Sequence, residues 1–361
     1  MSENLLLPIL REKIAEHGSL SIADYMDICL GHAEHGYYTK QDPFGVSGDF
    51  ITAPEISQIF GEMIGIWIAE AWRRMGGGPC SLVEMGPGRG TLMADLLRAT
   101  KAIPDFHASV TIHMVERSPV LANAQYMKLR HEHDRIEWID DLDDVPHHAP
   151  MLLVANEFLD ALPIRQFIQS ADGMRERRIG WDEEAEALTF IAGPPGLSLA
   201  KSGQVIAEGT VMEQCPAARS IVRDIASRIE ENGGAALLID YGYLGDAHRD
   251  TLQAVKSHHF HNVLEDPGNA DLTAHVDFQS LMHVAEGEGA CVYGPIGQGK
   301  FLKNMGAELR LNMLLKEAHE PQKEQLVTGL ERLTSPQAMG DLFQVMGLYH
   351  EYTDEMPGFD G

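Results

Sequence analysis

Two kinds of hydrophobic periodicity divide the chain. Up to about residue 78 the apolar residues recur at helical spacing, and those of 56–71 form one apolar face. Beyond that point short apolar runs alternate with amphipathic stretches, as strands and helices do in a parallel sheet. The pattern therefore predicts an α/β protein with a Rossmann-like, doubly wound, mostly parallel sheet and a helical N-terminal region. The runs that predict strands are 82–85, 110–115, 136–139, 151–155 and 236–239.

The connection between the last two of these strands is too long for a single crossover. Residues 164–190 within it alternate polar and apolar side chains, which indicates an inserted antiparallel β segment. A helix is predicted over 217–231, and strands near 252–255 and 290–293 are expected to complete the sheet. The chain from residue 301 onward is predicted to be helical.

Local signals mark the boundaries between these parts. Thr52 and Glu55 are spaced as a capping box, which predicts that a helix begins there. Glycines and a proline at 76–79 break the chain before the first strand. The predicted segments are a helical N-terminal region with a lid (1–78), the first part of the core (79–163), the antiparallel insertion (164–210), the second part of the core (211–300) and a C-terminal helical segment (301–361).

The most informative motif is the turn after the first strand, where three glycines alternate with other residues. A strand, a bare backbone turn and a helix N-terminus form the cradle that α/β proteins use for nucleotide-like cofactors. The spacing is G-x-G-x-G rather than G-x-G-x-x-G, and the carboxylate of Glu84 would repel the pyrophosphate of NAD. A sulfonium cofactor with an amino-acid end suits that charge, so the motif predicts S-adenosylmethionine (SAM). The cofactor-binding residues predicted here are Glu84, Gly86, Pro87, Gly88 and Gly90.

Polar residues also follow the next strands, and they are predicted to complete the cofactor site. Glu116 ends the second strand, where nucleotide-binding α/β folds place the acid that binds the ribose hydroxyls. Asp140 and Asp141, with Leu142 after them, follow the third strand, where a carboxylate and a backbone N–H could meet the adenine ring. Asn156 follows the fourth strand. The alternatives are a glycine turn that only packs a helix on a strand, and acids that only face solvent.

The loop after the fourth strand is predicted to carry the catalytic residues. In open α/β sheets the ligand lies beyond the carboxyl ends of the strands, so residues 156–163 should face the transferred group. Methyl transfer requires an acceptor that is aligned and holds a free lone pair. Glu157 and Asp160 are the predicted catalytic residues, because carboxylates can orient a guanidinium or an amine and help to remove its proton. A helix N-cap is the alternative role for Asp160.

Other residues are expected to border the methyl acceptor. Residues 45–50 form a glycine-punctuated loop with an acid beside an aromatic residue, which suits a lid, although an ordinary loop fits the same pattern. The end of the fifth strand adds two polar groups. The predicted substrate-binding residues are Asp49, Phe50, Glu55, Phe158, Asp240 and Tyr241.

Composition narrows the classes of partner. The chain has 28 Lys and Arg against 54 Asp and Glu, a net charge of −26. Nucleic acids and anionic membranes are disfavoured as partners, because Lys and Arg drive phosphate binding. The acidic field could steer a cationic substrate, or it could only keep the protein soluble.

Cysteine, histidine and hydropathy patterns point to a cytoplasmic protein without a metal. The four cysteines are far apart and include no C-x-x-C pair, so neither a disulfide framework nor a zinc site is indicated. The histidines of 258–261 lack metal-ligand spacing. No apolar run reaches the roughly 18 residues of a membrane span, and neither a signal peptide nor a transit peptide is indicated. The sequence does not indicate the oligomeric state.

Several motifs in order along the chain resemble one family, the MidA-like SAM-dependent methyltransferases. The mitochondrial members of this family are complex I assembly factors that methylate an arginine of a complex I subunit. The resemblance covers almost the whole chain and includes the whole glycine turn. The motifs that carry it are 35–38, 44–45, 48–55, 60–62, 84–90, 156–163, 164–167, 238–242, 271–278, 293–295 and 298–299.

The resemblance implies a class I methyltransferase fold, SAM in the turn at 84–90, and a protein arginine as acceptor, possibly on a complex I subunit. Two other functions are compatible with the residues. One is a methyltransferase that acts on a small molecule, and the other is an assembly protein that binds SAM without turnover. An NAD-dependent dehydrogenase is disfavoured by Glu84 and by the glycine spacing.

Overall fold

The computed structural model describes residues 4–40, 51–195, 206–245 and 248–360. The α-helices are α1 (Leu6–His17), α2 (Ile22–Gly31), α3 (Tyr37–Lys40), α4 (Ala53–Ile56), α5 (Gln58–Arg74), α6 (Thr91–Thr100), α7 (Pro104–Ser109), α8 (Pro119–Leu129), α9 (Pro216–Asn232), α10 (Phe278–Gly287), α11 (Gln298–Asn304), α12 (Ala307–Leu315), α13 (Glu320–Thr334) and α14 (Met339–Leu342). The strands are β1 (Leu20–Ser21), β2 (Cys80–Met85), β3 (Val110–Val115), β4 (Ile136–Ile139), β5 (Met151–Asn156), β6 (Arg165–Ser170), β7 (Gly173–Asp182), β8 (Ala187–Pro195), β9 (Val211–Gln214), β10 (Gly234–Tyr243), β11 (Gln253–Lys256), β12 (His259–His261), β13 (Asp271–Thr273), β14 (Val276–Asp277), β15 (Cys291–Gly297) and β16 (Phe343–Tyr349), and a short 3₁₀ helix covers Leu142–Asp144.

The described residues form two compact units. The first unit takes its residues from Met1–Pro43, Asp160–Ser220 and Leu244–Asp277, and the second from Phe44–Leu159, Ile221–Tyr243 and Phe278–Gly361. These units follow spatial contacts, and the five segments drawn from the sequence stay a prediction.

The second unit is built on one large sheet, with strands in the order β15-β16-β10-β5-β2-β3-β4. The strands from β10 to β4 are parallel, and they are the five runs that the sequence predicts as strands. The chain enters the sheet at β2, moves outward to β3 and β4, and then returns to the other side of β2 with β5 and β10. The connections therefore reverse direction between β2 and β5, and the carboxyl ends of these two strands border the crevice where such sheets bind ligands.

Helix α5 covers this sheet and packs closely on α6. Its predicted apolar face is buried, with Phe60, Ile64 and Trp67 at most 1% exposed. Gly65 permits the close approach of α6, because a Cβ atom there would lie 2.9 Å from the Cα atom of Leu96. The core of this unit thus holds β2 and the helix that follows it in a defined position.

The C-terminal part of the chain corrects the sequence-based expectation. Helices α11 to α14 are present, but β16 is a buried strand between β10 and β15 and antiparallel to both. A short apolar run such as 343–349 has no periodicity that separates a buried strand from a buried helix. Pairing with the edge of β10, where Ile239 faces Val345, decides the conformation.

Two further expectations are wrong. The strand predicted near 252–255 exists as β11, but it pairs with β12 and β13 in a separate sheet of the first unit, whereas β15 joins the large sheet as expected. The capping box also fails. Thr52 stands before α4 but its side chain makes no cap hydrogen bond, and the helix ends at Ile56. The extended residue Ser57 (φ −156°) separates α4 from α5, and its side chain accepts the N–H of Ile59.

The first unit contains the predicted antiparallel insertion. Its sheet has the order β1-β7-β6-β9, and β8 pairs with β7. Helices α1 and α2 supply Leu10 and Tyr25 to a buried cluster that also contains Ile179. Among the helices of the described residues, none is both long and apolar enough to cross a membrane.

Candidate active site

The glycine turn between β2 and α6 has the backbone geometry of a cofactor cradle. Gly86, Gly88 and Gly90 have φ values of +60°, +53° and +74°, in the left-handed region that favours glycine. Gly86 donates its N–H to the carbonyl of Val115 over 3.2 Å, which ties the turn to the end of β3. A Cβ atom on Gly86 would lie 2.7 Å from a ring carbon of Phe158, so this position also lacks room for a side chain.

Glu84 lies on β2 just before the turn and is the most perturbed acid of the cleft. Its side chain is 4% exposed. Burial raises its pKa from 4.5 to about 8, with Lys128 opposing and Glu116 adding to the shift. Its Oε2 atom is buried and, within the described part of the chain, accepts no hydrogen bond. A buried unpaired carboxylate oxygen is costly and calls for a donor from a ligand.

Asn156 presents a second acceptor at the end of the neighbouring strand β5. Its Oδ1 atom is buried and also accepts no hydrogen bond from the described residues, while its Nδ2 donates to Oε1 of Glu157 over 3.2 Å. Glu84 and Asn156 line the same cleft as the glycine turn. Two unsatisfied acceptors in one cleft, one of them an acid, suit a cationic group with several N–H donors.

Glu157 is held in a strained backbone conformation directly after β5. Its φ is +50°, which is uncommon for a residue with a side chain. Its N–H donates to the carbonyl of Ile239 over 2.9 Å, and its Oε1 accepts the N–H of Ala53 over 2.8 Å. Backbone and side chain are therefore both anchored, so the carboxylate has a defined orientation at the cleft that it lines.

Asp240 fixes the loop that follows Glu157. It is fully buried, and its Oδ2 accepts the N–H groups of Phe158 (3.2 Å) and Leu159 (2.9 Å). Its Oδ1 accepts the N–H of Tyr241 over 2.9 Å, and the ring of Tyr241 packs edge-on against Phe343. In the structure both residues support the loop and the sheet, and their substrate-binding roles stay predictions.

Glu116 follows β3 and is connected to the glycine turn by a residue that sequence reasoning missed. Its Oε1 accepts the N–H of Ser118 over 2.7 Å, and its Oε2 accepts Nε2 of Gln125 over 3.0 Å. Gln125 also donates to the carbonyl of Gly88 over 2.8 Å. Burial raises the pKa of Glu116, and these hydrogen bonds lower it in part. A single glutamine on a helix gives no sequence signal for such a role.

A family model described as "Putative S-adenosyl-L-methionine-dependent methyltransferase" matches residues 63–296. The chain belongs to this family. "Protein arginine methyltransferase NDUFAF7, mitochondrial" of Mus musculus is 39% identical to it over 96% of this chain and 85% of the relative. The Drosophila melanogaster homolog is 38% identical over 94% and 84%. A Burkholderia thailandensis structure bound to S-adenosyl-homocysteine has a TM-score of 0.81 and 28% identity, and the match covers 99% of this chain and 92% of that chain.

These matches confirm the predicted enzyme class, fold class and cofactor, namely a SAM-dependent methyltransferase with a class I α/β fold. They contradict the expected cytoplasmic location. The names of the mouse, rat, human and fly relatives carry the word mitochondrial, and the composition and hydropathy that suggested the cytoplasm do not separate the two compartments.

The residues of this methyltransferase fit SAM. The glycines leave the turn without Cβ atoms, so a ligand can approach its backbone closely, although the N–H groups of Gly86 and Gly90 already donate to the carbonyls of Val115 and Pro87. The unpaired acceptors Oε2 of Glu84 and Oδ1 of Asn156 match a ligand ammonium. Glu116 carries the two oxygens that a vicinal diol requires. The residues present thus provide acceptors that suit an ammonium group and a vicinal diol, and a bare backbone turn beside them.

The adenine-binding residues predicted after β4 have other contacts as well. Asp140 is exposed and Leu142 is buried. Asp141 begins the 3₁₀ helix by accepting the N–H of Asp143, and it forms an exposed ion pair with Arg117 over 2.5 Å. None of the three predicted residues lines the cleft, so their role toward adenine stays a prediction.

Glu55 lines the cleft and accepts a hydrogen bond from Thr91, the first residue of α6, whose hydroxyl in turn accepts one from Lys128. Sequence reasoning placed Glu55 in a capping box and beside the substrate, and it gave no weight to Thr91. Asp49 and Phe50 lie outside the described residues.

Asp160 belongs to the first unit and is 7% exposed. It lies in a turn and not at a helix N-cap, so the alternative drawn from the sequence fails. Its carbonyl accepts the N–H of Ala274 over 2.9 Å.

In the same unit Tyr38 donates to Asp271 over 2.9 Å, and burial with the charges of Asp271 and Asp160 raises the pKa of Tyr38 well above its usual value. Among the described residues no group of His, Cys, Asp and Glu side chains is arranged to hold a metal ion.

Proposed function

We propose that this methyltransferase transfers a methyl group from SAM to an arginine side chain of a protein, and that the acceptor is a subunit of respiratory complex I. The first part rests on a sequence identity of 39%, over 96% of the chain, to a protein named as an arginine methyltransferase. The second part rests on the family resemblance of the ordered motifs. A net charge of −26 favours the approach of a cationic acceptor.

The cofactor residues of this proposal are those of the cleft and of the strand ends around it. When bound, SAM supplies an electrophilic methyl group. Glu84 and Asn156 accept hydrogen bonds from its ammonium, and the turn of Gly86, Pro87, Gly88 and Gly90 approaches it with backbone alone. Glu116 binds the ribose hydroxyls, and residues 140–142 contact the adenine.

The acceptor residues orient a guanidinium and take its proton. Arginine is protonated at neutral pH, so one nitrogen must lose a proton as its bond to the methyl carbon forms. The S–CH3 bond of bound SAM would break in the same displacement, and S-adenosylhomocysteine would leave. The anchored carboxylate of Glu157 orients the guanidinium and accepts that proton, with Asp160 as the second carboxylate. General-base help of this kind contributes about 10²–10⁴-fold in rate. Glu55, Phe158, Asp240 and Tyr241 complete the acceptor side in this proposal, together with Asp49 and Phe50.

The test is methyl transfer to a defined protein acceptor. The purified enzyme is incubated with methyl-labelled SAM and a complex I subcomplex, and labelled residues are located by peptide mass spectrometry. We expect label on an arginine. Glu157→Gln should reduce the rate by about 10²-fold or more, whereas Glu183→Gln, a surface carboxylate that is 80% exposed, should retain it. Absence of label from every arginine of the subcomplex contradicts the proposal.

A further inference from the structure

Gln125 links three parts of the cofactor site from a position that is closed to solvent. It lies on α8 and is 0% exposed. Its Nε2 donates to the carbonyl of Gly88 (2.8 Å) and to Oε2 of Glu116 (3.0 Å), and its Oε1 accepts Nε1–H of Trp138 over 3.1 Å. One side chain thus connects the glycine turn, the end of β3 and strand β4.

The hydrogen-bond network requires a glutamine amide in one orientation. Both N–H groups of the amide face acceptors, and its oxygen faces a donor. Rotating the amide by half a turn would place oxygen against oxygen at Gly88 and Glu116, and N–H against N–H at Trp138. No other side chain of this length offers two donors and one acceptor in one plane, so the arrangement is specific to glutamine and gives an acceptor to each N–H of the amide.

The hydrogen bond from Gln125 also restrains the carboxylate of Glu116. Its Oε1 accepts the N–H of Ser118 and its Oε2 accepts Nε2 of Gln125, so rotation of the carboxylate is restricted. Each oxygen still has lone-pair capacity for a further donor, since a carboxylate has about four acceptor positions. A fixed pair of acceptors binds a diol without first losing rotational freedom.

We propose that Gln125 is a positioning residue that holds the Glu116 carboxylate and the Gly88 turn in the geometry that recognises the ribose hydroxyls of SAM. This inference rests on the proposed role of Glu116 as the ribose acid. It does not depend on the identity of the methyl acceptor.

The test measures binding of S-adenosylhomocysteine and its 2′,3′-dideoxy analogue by titration calorimetry. In the wild-type protein, loss of the hydroxyls should weaken binding by at least about tenfold, the value of one charge-assisted hydrogen bond. Gln125→Met keeps the volume but has no donor. We expect it to bind S-adenosylhomocysteine about tenfold more weakly and to distinguish the two ligands by less than about threefold.

Controls separate positioning from folding. Gln322→Met, an exposed exchange on α13, should change neither affinity. If Gln125→Met does not fold, Gln125→Asn gives the same test, because the shorter amide cannot reach both partners.

Two results would overturn the inference. One is a Gln125 variant that folds and still distinguishes the two ligands as strongly as the wild-type protein. The other is a wild-type protein that binds both ligands equally, which would remove the ribose role of Glu116 as well. Neither readout uses a protein acceptor, so an enzyme that labels no arginine would leave this result unaffected.

Discussion

The buried carboxylate of Glu84 should make the unliganded protein less stable as the pH rises. Its pKa is raised to about 8 in the folded protein, against 4.5 in the unfolded chain. Between these values the folded state keeps a proton that the unfolded state has lost, so the free energy of unfolding falls with increasing pH. The substitution Glu84→Gln removes the titration while keeping the size of the side chain.

The magnitude follows from the two pKa values. Each pH unit between them costs the folded state about 1.4 kcal/mol. Because Glu84 ionises in the unfolded chain but stays largely protonated in the folded protein, the free energy of unfolding is lower by about 3 kcal/mol at pH 7. The Gln variant carries a fixed cost for its buried amide, and Asp95 and the other perturbed acids titrate in both proteins. The difference in unfolding free energy between wild type and variant should therefore change by about 1.4 kcal/mol per pH unit from about pH 5.5 to 7.5, and level off above 8.

The assay is urea unfolding of both unliganded proteins, followed by circular dichroism at half-unit steps of pH. Subtracting one pH profile of the unfolding free energy from the other removes the titrations that both proteins share. Parallel curves would refute the reasoning, because they would mean that Glu84 is ionised in the folded protein at all pH values tested.

Three further outcomes follow from the cleft and from the loop that borders it. SAM affinity should rise by up to about tenfold per pH unit between about pH 5.5 and 7, since Glu84 must release its proton to pair with an ammonium. Calorimetry in buffers of different ionisation enthalpy measures the proton release. An affinity that does not change with pH contradicts the pairing. Gly86→Ala should destabilise the protein by about 1–3 kcal/mol because of its positive φ, with a further cost from the contact with Phe158, and it should weaken SAM binding. The control is Gly76→Ala, at a φ of +90° with open space around it, which should show the backbone cost alone. Asp240→Asn should cost about 2–3 kcal/mol in urea unfolding and lower the turnover number, because one acceptor oxygen remains for the N–H groups of Phe158, Leu159 and Tyr241. Unchanged stability would contradict its anchoring role.

The amino-acid sequence alone determined the elements that depend on short-range patterns, namely the parallel strands and the glycine turn. The parallel strands alternate with helices along the chain, and the glycines of the turn adopt φ values that other residues avoid, so hydrophobic period and residue type suffice to predict them. The acids at the strand ends follow from the same reasoning, because the carboxyl ends of parallel strands meet at one edge.

Tertiary structure alone decided the rest. Strand β16 takes its conformation from pairing with β10, and β11 joins a different sheet from the one expected. Gln125 reaches Gly88 across 37 positions of the chain, and Asp240 reaches Phe158 across 82. Such contacts depend on which surfaces folding brings together, and hydrogen-bond partners at that separation leave no periodic trace in the sequence. For this methyltransferase, the sequence therefore determines the cofactor turn, while the fold selects the buried side chains that hold it in shape.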